Sequence, residues 1–202
     1  MTIGKGTEWG RPGTLPPGSP VFDSDAELFR AVNTIRSRGD AVGAVGLTGG
    51  TLWEMIGGAT VVGRLHTDAA REYPCDLGRV ETDAGRYWFS SFMLARTFGW
   101  RRVAVAMNAQ NIGQFRFGHR AHPNDGLLDV YEADVDLQQR FLIAKRAKLG
   151  AHLPHPQVVE RRCATAVLQF GRPRRVSLDG VVIGRSSSVT LAVEPDAMTL
   201  VI

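Results

Sequence analysis

Hydrophobic residues recur at two different spacings along this chain, and the spacing changes near residue 70. In the first part, Leu28, Val32 and Ile35 follow one another at intervals of four and three residues, which is the spacing of one helix face. Ser24 and Glu27 precede this run with the spacing of a capping box. We therefore predict a helix that begins after Ser24 and ends at the next glycine.

Beyond residue 70, apolar and polar residues alternate in short runs that are separated by turn residues. Such runs, with turns every ~8–12 residues, are typical of a sandwich or barrel and not of alternating βαβ units. One helix is expected to interrupt them, from a cap at Asp136 to Gly150. The strands are predicted at residues 77–82, 86–96, 103–107, 127–131, 165–170, 176–178, 189–193 and 198–202.

The first 70 residues have a different texture. Residues 11–20 hold four prolines and two glycines, which predicts an irregular connector after a short opening strand. A buried strand is expected at 41–47 and a short helix at 51–56. We predict an α+β fold, with a small mixed α/β amino-terminal lobe at 1–70 and an antiparallel, β-sandwich-like body at 71–202.

Composition limits the classes of function. The 202 residues are 44% hydrophobic, which is enough for a globular core, and the net charge of +4 is too small to indicate nucleic-acid binding. Two cysteines make no disulfide framework and fit a reducing compartment. No run approaches the ~20 apolar residues of a membrane span. We expect a soluble cytoplasmic protein with no transmembrane segment, whose start at Met1 is natural.

Two acidic turns are the main candidates for chemistry. Asp179-Gly180 lies between apolar runs, which is a strong hairpin signal, but an aspartate held there could also serve as a general base. Asn124-Asp125-Gly126 is likewise a turn signature. The carboxylate of Asp125 could instead help to hold Mg²⁺ or Ca²⁺, which take oxygen ligands. Local sequence leaves both alternatives open and favours plain turns.

Three weaker patterns remain. Gly49-Gly50-Thr51 opens the short helix and could offer backbone N–H groups to a phosphate, although an ordinary tight turn is favoured. Two histidine pairs with Cys163 suggest zinc, but their prolines indicate loops. A basic helix could contact an anionic membrane, or could simply cover the sheet with its apolar side. The histidines are His119, His122, His152 and His155, and the basic residues are Arg140, Lys145, Arg146 and Lys148.

The motifs together resemble one known family. The matching segments are Cys75 to Val80, Met107-Asn108-Ala109, Pro123 to Val130 with its Asp-Gly-x-Leu-Asp pattern, Leu178-Asp179-Gly180, and Val193 to Met198. In order and spacing they are similar to the carboxy-terminal, lipid-side domain of the diacylglycerol kinase and YegS-type bacterial lipid kinases. The resemblance runs from about Arg71 to Ile202.

The resemblance implies roles for particular residues. It places Asp125, with the main-chain carbonyls of His122 and Leu127, where these kinases hold a magnesium ion. It places Asp179 where they have the general base. The family usually has Glu directly after this Asp-Gly, and here that position is Val181.

The resemblance also shows what is missing. The family's nucleotide-binding domain carries a Gly-Gly-Asp-Gly-Thr loop, and nothing in this chain matches it. Phosphoryl transfer depends on positioning the nucleotide's phosphates and metal, so we expect ATP binding to be lost. The leading hypothesis is a reduced lipid kinase relative that binds a lipid, a phosphorylated small molecule or a protein partner. The alternatives are an active ATP- and Mg-dependent lipid kinase acting on a diacylglycerol-like hydroxyl, and a structural oligomerisation domain in which strands 189–202 pair across chains.

Overall fold

A computed structural model describes residues 8–58, 62–148 and 155–202. It contains three α-helices and two short 3-10 turns within these ranges. The helices are α1 (Asp25–Ser37), α2 (Thr51–Ile56) and α3 (Leu137–Ala147), and the 3-10 turns are Val62–His66 and Phe98–Trp100.

The strands match the sequence predictions in most places, with several merged or divided. They are β1 (Arg11–Pro12), β2 (Val21–Phe22), β3 (Ala44–Leu47), β4 (Arg71–Thr82), β5 (Gly85–Phe89), β6 (Phe92–Arg96), β7 (Arg102–Met107), β8 (Asn111–Ile112), β9 (Phe115–Arg116), β10 (Leu128–Asp134), β11 (Val158–Cys163), β12 (Thr165–Leu178) and β13 (Val181–Val201).

Eleven of these strands form one sheet. Its main order is β1-β4-β13-β12-β6-β7-β10-β11, with β5 paired to β4 and β3 paired to β13. All pairings are antiparallel except that of β3 with β13 and that of β2 with β3. The predicted α+β class with an antiparallel, sheet-rich body is therefore confirmed.

The sheet folds over on itself around a core. One buried cluster joins Val80 of β4, Val130 of β10 and Leu191 of β13, although β4 and β10 lie five places apart in the strand order. Side chains on successive residues of a strand point to opposite faces, so only one face of each strand can supply this cluster. The layered, sandwich-like body is thus built from a continuous sheet.

The amino-terminal segment is attached to this sheet. Val45 of β3 pairs in parallel with Leu200 of β13, and Leu28 of α1 shares a second buried cluster with Leu77 of β4 and Leu200. Hydrogen bonds and core packing are therefore continuous across residue 70, where the sequence predicts the boundary between lobe and body.

The amino terminus of α1 differs from its prediction. Ser24 occupies the N-cap position but its side chain makes no capping hydrogen bond. Glu27 accepts a hydrogen bond at 3.4 Å from the backbone N–H of Asp23, the residue before the N-cap, and not from that of Ser24, so the expected reciprocal capping box is not formed. At α3, by contrast, Asp136 caps the helix by accepting from the N–H of Gln139 at 2.9 Å. The expected end of that helix at Gly150 lies outside the described residues.

The closing strand does not offer a free edge. Strand β13 is hydrogen-bonded to β12 on one side and to β4 on the other, and its last residues also pair with β3. Strands 189–193 and 198–202, which the sequence suggests for pairing across chains, are interior. A second copy could pair with them only by displacing strands of the same chain.

Candidate functional site

Asp179 links two segments that are far apart in the sequence and adjacent in the sheet. It is the first residue of a two-residue turn between β12 and β13, with φ of 47° followed by 82° at Gly180, so the predicted hairpin is confirmed. Its carboxylate accepts hydrogen bonds from the backbone N–H groups of Ser90, Ser91 and Phe92 at 2.7–2.9 Å and from the Ser90 hydroxyl at 3.0 Å. These donors lie in the break between β5 and β6 and at the first residue of β6, within a run that the sequence predicts as one strand.

The environment of Asp179 perturbs its acidity. Burial raises the pKa of this carboxyl to about 7, although the N–H donors of Ser90 and Phe92 act in the opposite direction. A pKa near 7 suits a general base. A carboxylate offers about four acceptor positions, however, and four donors of this chain already occupy them. The catalytic role that the resemblance implies for Asp179 stays a prediction.

The loop at residues 122–127 is organised by Asp76, which the sequence does not single out. Asp76 accepts from the N–H of Gly126 at 2.7 Å and from the N–H of Asp196 at 2.9 Å, and its own N–H donates to the carbonyl of Pro123. Asp76 is fully buried. Burial, with a contribution from the charge of Asp125, raises its pKa to about 6.

Asn108 links the two acidic turns. Its side-chain amide donates to the carbonyl of Asp76 at 3.0 Å and to the carbonyl of Ser90 at 2.8 Å. Ser90 is the residue bound by Asp179, and Asp76 is the residue that binds the 122–127 loop. The two turns are therefore parts of one buried polar network rather than independent sites.

Asp125 is satisfied by groups of the same chain. One oxygen accepts from the N–H of Leu127 at 3.0 Å, and the other forms an ion pair with Arg162. Nδ1 of His122 accepts from the N–H of Asn124, and its ring packs edge-on against Trp9. The positive charge of Arg162 stands where a cation would be needed, so this donor set fits a magnesium ion poorly. A metal site at Asp125, His122 and Leu127 stays a prediction.

The histidines within the described ranges do not form part of a metal centre. Across residues 8–58, 62–148 and 155–202, no group of three His, Cys, Asp or Glu side chains is arranged to hold a metal ion. His155 instead contacts the side chain of Gln139 at 3.2 Å. His152 lies outside the described residues, and so do Gly150 and the side chain of Arg140.

The amino terminus of α2 is filled by a carboxylate. Asp25 accepts from the N–H of Thr51 at 2.9 Å and from its hydroxyl at 2.6 Å. The two glycines permit this approach, because a Cβ at Gly49 would lie 2.2 Å from the carbonyl oxygen of Asp23 and Gly50 has φ of 92°. The N–H of Thr51, which the sequence suggests for a phosphate, thus binds an internal anion.

An apolar cavity lies on the outer face of β7 and β10. Its volume is about 620 Å³, and its fifteen lining residues are aliphatic, aromatic or glycine, with none that carries a charge. Val103 and Val105 of β7 and Tyr131 and Ala133 of β10 form its floor, on the face opposite the main core. The volume falls within the ~300–1,000 Å³ of typical ligand pockets.

Helix α3 and a small hairpin form the other walls of the cavity. Phe141 and Ile143 come from α3, Ile112 and Phe115 come from the hairpin β8–β9, and the ammonium of Lys148 lies 5.9 Å from the ring centre of Phe115. Phe141 is 71% exposed although it lines the cavity. The cavity is therefore reached from a surface that is itself apolar.

Comparison with solved structures identifies the fold. Over 90% of its length the chain matches a crystal structure of a candidate diacylglycerol kinase from Bacillus anthracis strain Sterne, with 12% identity, a TM-score of 0.65 and 76% of that chain covered. A diacylglycerol kinase structure from the same organism gives 13% identity, a TM-score of 0.60 and 74% coverage over the same 90%. No protein-family model and no curated protein sequence matches.

The chain thus has a diacylglycerol kinase-like fold. This agrees with the resemblance inferred from the motifs at 75–80, 123–130 and 178–180. Identity of 11–13% establishes the fold and leaves the activity to be argued from the site itself.

Three features of the structure are not predicted from the sequence: the contacts of Asp25, the contacts of Asp76 and the apolar cavity. Asp25 and Asp76 act through partners 26 and 50 positions away in the chain, and no local motif marks such pairs. The cavity is formed by residues from eight separate elements, so its only local signal is the apolar side of α3, which the sequence predicts as cover for the sheet. Folding brings these groups together.

Proposed function

We propose that this chain is a lipid-binding member of the diacylglycerol kinase-like fold that no longer binds ATP and acts as a lipid- or partner-binding regulatory module. The observation that carries the proposal is the apolar cavity of about 620 Å³ under α3. A cavity lined only by uncharged, mostly aliphatic and aromatic side chains favours the hydrocarbon part of a ligand, because each buried CH₂ contributes roughly 0.8 kcal/mol. An acyl chain is the matching chemistry.

The loss of ATP binding is supported by Asp25. Helix amino termini bind phosphate through free N–H groups and their positive electrostatic end. At α2 the carboxylate of Asp25 takes the hydrogen bonds of Thr51 and adds a negative charge, which would repel a nucleotide phosphate. Calorimetry with ATP·Mg²⁺ should therefore detect no binding to the purified chain, and micromolar binding would contradict this part of the proposal.

The acyl-binding part is tested with a fluorescent fatty acid as probe. Ala133 lies on the cavity floor, so Ala133→Phe would fill part of the space and should weaken probe binding by about tenfold or more. The matched control is Val182→Phe, which adds an aromatic ring at an exposed position of the β12–β13 hairpin. Thermal unfolding of both variants shows whether each is folded.

The two variants give a clear decision. Saturable binding to the wild-type chain and to Val182→Phe, with weak binding to folded Ala133→Phe, supports an acyl site in the cavity. Equal binding to all three proteins, or no saturable binding to the wild type, would refute it.

An active lipid kinase is the alternative that one observation favours. Asp179 is buried and has a pKa of about 7, which is the acidity expected of a general base. In that case ATP- and Mg²⁺-dependent phosphate transfer to diacylglycerol should be measurable and should disappear in Asp179→Asn. Activity that persists in a folded Asp179→Asn variant would exclude this role.

A further inference from the structure

A second opening lies beside the apolar cavity and is basic. It is a cleft of about 480 Å³ lined by Thr97, Phe98, Arg101, Arg102, Phe170 and Arg172. The segment 97–102 separates the two spaces, since Gly99 and Trp100 line the apolar cavity. Arg102 lies on the same face of β7 as Ala104 and Ala106, which belong to the main core, so the cleft opens at the end of that core. The apolar cavity lies on the opposite face of β7.

A buried arginine stands behind this cleft. Arg174 of β12 is only 8% exposed, and its guanidinium carbon lies 4.3 Å from the ring centre of Phe170, which lines the cleft. Its Nε is buried without a hydrogen-bond partner. Burying a cation without a paired anion is costly, so such a group indicates a missing partner. Burial lowers the pKa of Arg174, with Glu132 acting in the opposite direction.

The acidic groups nearby do not balance these arginines. Asp134 pairs with both Arg101 and Arg102, at 3.3 and 2.7 Å, and Glu132 pairs with Arg161. Within the described part of the chain, neither Arg172 nor Arg174 has a carboxylate at salt-bridge distance. The cleft therefore carries excess positive charge, with at least one guanidinium donor unused.

We propose that this arginine cleft binds the phosphate group of an anionic lipid whose acyl part occupies the neighbouring cavity. The inference rests on the proposed lipid-binding function and names the ligand's class: an acyl-bearing amphiphile with a phosphate head. Guanidinium groups match phosphate because their planar N–H donors can bind two of its oxygens at once.

The surface around the two openings fits a ligand that comes from a membrane. Of the eight large apolar side chains that are exposed among the described residues, four lie in the separating segment or on α3: Phe98, Trp100, Phe141 and Leu142. Phe98 is fully exposed, and the guanidinium of Arg96 lies 4.3 Å from the ring centre of Trp100. Exposed aromatic rings flanked by arginines suit the boundary between lipid head groups and acyl chains.

Two variants test the cleft. Arg172→Glu reverses an exposed charge, and Arg174→Met replaces the buried cation by an apolar chain of similar length. The control is Arg30→Glu, which makes the same charge change on the exposed side of α1. Binding is measured by co-sedimentation with phosphatidylcholine vesicles that contain or lack phosphatidic acid, and by calorimetry with glycerol 3-phosphate as a soluble phosphate.

The expected result is binding to phosphatidic acid vesicles that both cleft variants weaken by about tenfold or more, since a hydrogen bond to a charged group contributes about 1.5–3 kcal/mol. Arg30→Glu should bind like the wild type. If glycerol 3-phosphate also binds and depends on Arg172, the cleft recognises soluble phosphates and the membrane origin is wrong. Equal loss in Arg172→Glu and Arg30→Glu, or no preference for phosphatidic acid, would overturn the phosphate site.

The fatty-acid probe separates this inference from the proposed function. For this comparison the probe is used as its uncharged methyl ester, which has no anionic head for the arginines to bind. Arg172→Glu should bind this ester with unchanged affinity, because Arg172 does not line the apolar cavity. If the probe binds but vesicles show no dependence on the arginines, the cleft proposal alone fails. If the probe binds neither to the wild type nor to any variant, the proposed lipid-binding function is refuted, and so is the phosphate site that rests on it.

Discussion

The carboxylate of Asp179 is expected to stabilise the fold through its hydrogen bonds to residues 90–92. Replacement by Gly removes the carboxylate while fitting the left-handed φ of 47°, so it tests the hydrogen bonds without adding backbone strain. Three buried N–H groups lose their acceptor, and we expect a loss of about 3 kcal/mol or more in the free energy of unfolding. Urea denaturation measures this loss.

The matched control is Asp83→Gly in the turn before β5. Asp83 also accepts two hydrogen bonds, from the N–H and hydroxyl of Ser187, but it is exposed and water can replace it. It shares the entropic cost of a new glycine, so a smaller loss is expected. Equal losses for the two variants would contradict the view that Asp179 is a structural clamp.

The raised pKa of Asp179 gives the stability a pH dependence. Its pKa is about 7 in the folded protein and near 4 when unfolded, so between these values the folded state binds more protons. The contribution of Asp179 to stability is therefore fully present below about pH 4 and is lost as the pH rises through about 7. His122, whose pKa burial lowers, acts in the opposite direction, because near pH 6.5 the unfolded state binds more protons to its ring than the folded state does.

Urea denaturation at about pH 6.5 and about pH 8 therefore tests the sign. We expect a lower free energy of unfolding at the higher pH, and a smaller difference in Asp179→Gly. An equal change with pH in the wild-type protein and in Asp179→Gly would show that the carboxyl is already ionised at the lower pH.

The sequence predicts Asp179-Gly180 as a hairpin turn correctly, because both signals are local. It does not reveal the partners of the carboxylate, since Ser90 lies 89 positions earlier and no spacing rule connects them. The same limit applies to Asn108, whose two acceptors lie in β4 and in the break between β5 and β6. Buried polar networks depend on tertiary contacts that a single sequence does not display.

At the level of elements, Asp25 joins α1 to α2. Asp25→Ala removes the acceptor of the N–H and hydroxyl of Thr51, and we expect a loss of about 1–2 kcal/mol in the free energy of unfolding. The control is the neighbouring Ser24→Ala. The Ser24 side chain makes no capping bond, so its loss should be close to zero.

These two substitutions distinguish the observed arrangement from the capping box suggested by the sequence. A larger loss of stability in Ser24→Ala than in Asp25→Ala, measured by urea denaturation, would support the capping box and contradict the link between α1 and α2.

Errors in the predicted strands have definite physical causes. Strand β13 is predicted as two strands because Pro195 and Asp196 form a turn-like pair. In the structure the strand continues through them, and only its pairing with β4 is irregular between Glu194 and Met198. Strand β12 is divided in the same way by the Gly171–Pro173 region, where its register shifts. Strand β11 is missed because three consecutive charged residues hide its pattern, although charges are common on an edge.

For the whole molecule, β11 determines how the sheet ends. It is the last strand in the order, and it carries Glu160, Arg161 and Arg162 on exposed positions. Charged edges oppose strand pairing between copies, so sedimentation at micromolar concentration should show a monomer. The double variant Glu160→Val and Arg161→Val should associate. A stable dimer of the wild-type chain would revive the oligomerisation hypothesis.

The order of strands along the chain differs greatly from their order in the sheet. Strand β13 follows every other strand in sequence, yet it lies between β4 and β12 and also holds β3 in place. A ribosome-bound chain that lacks residues 181–201 would expose the apolar faces of these three strands with nothing to join them. Productive folding must therefore wait until synthesis has passed this strand.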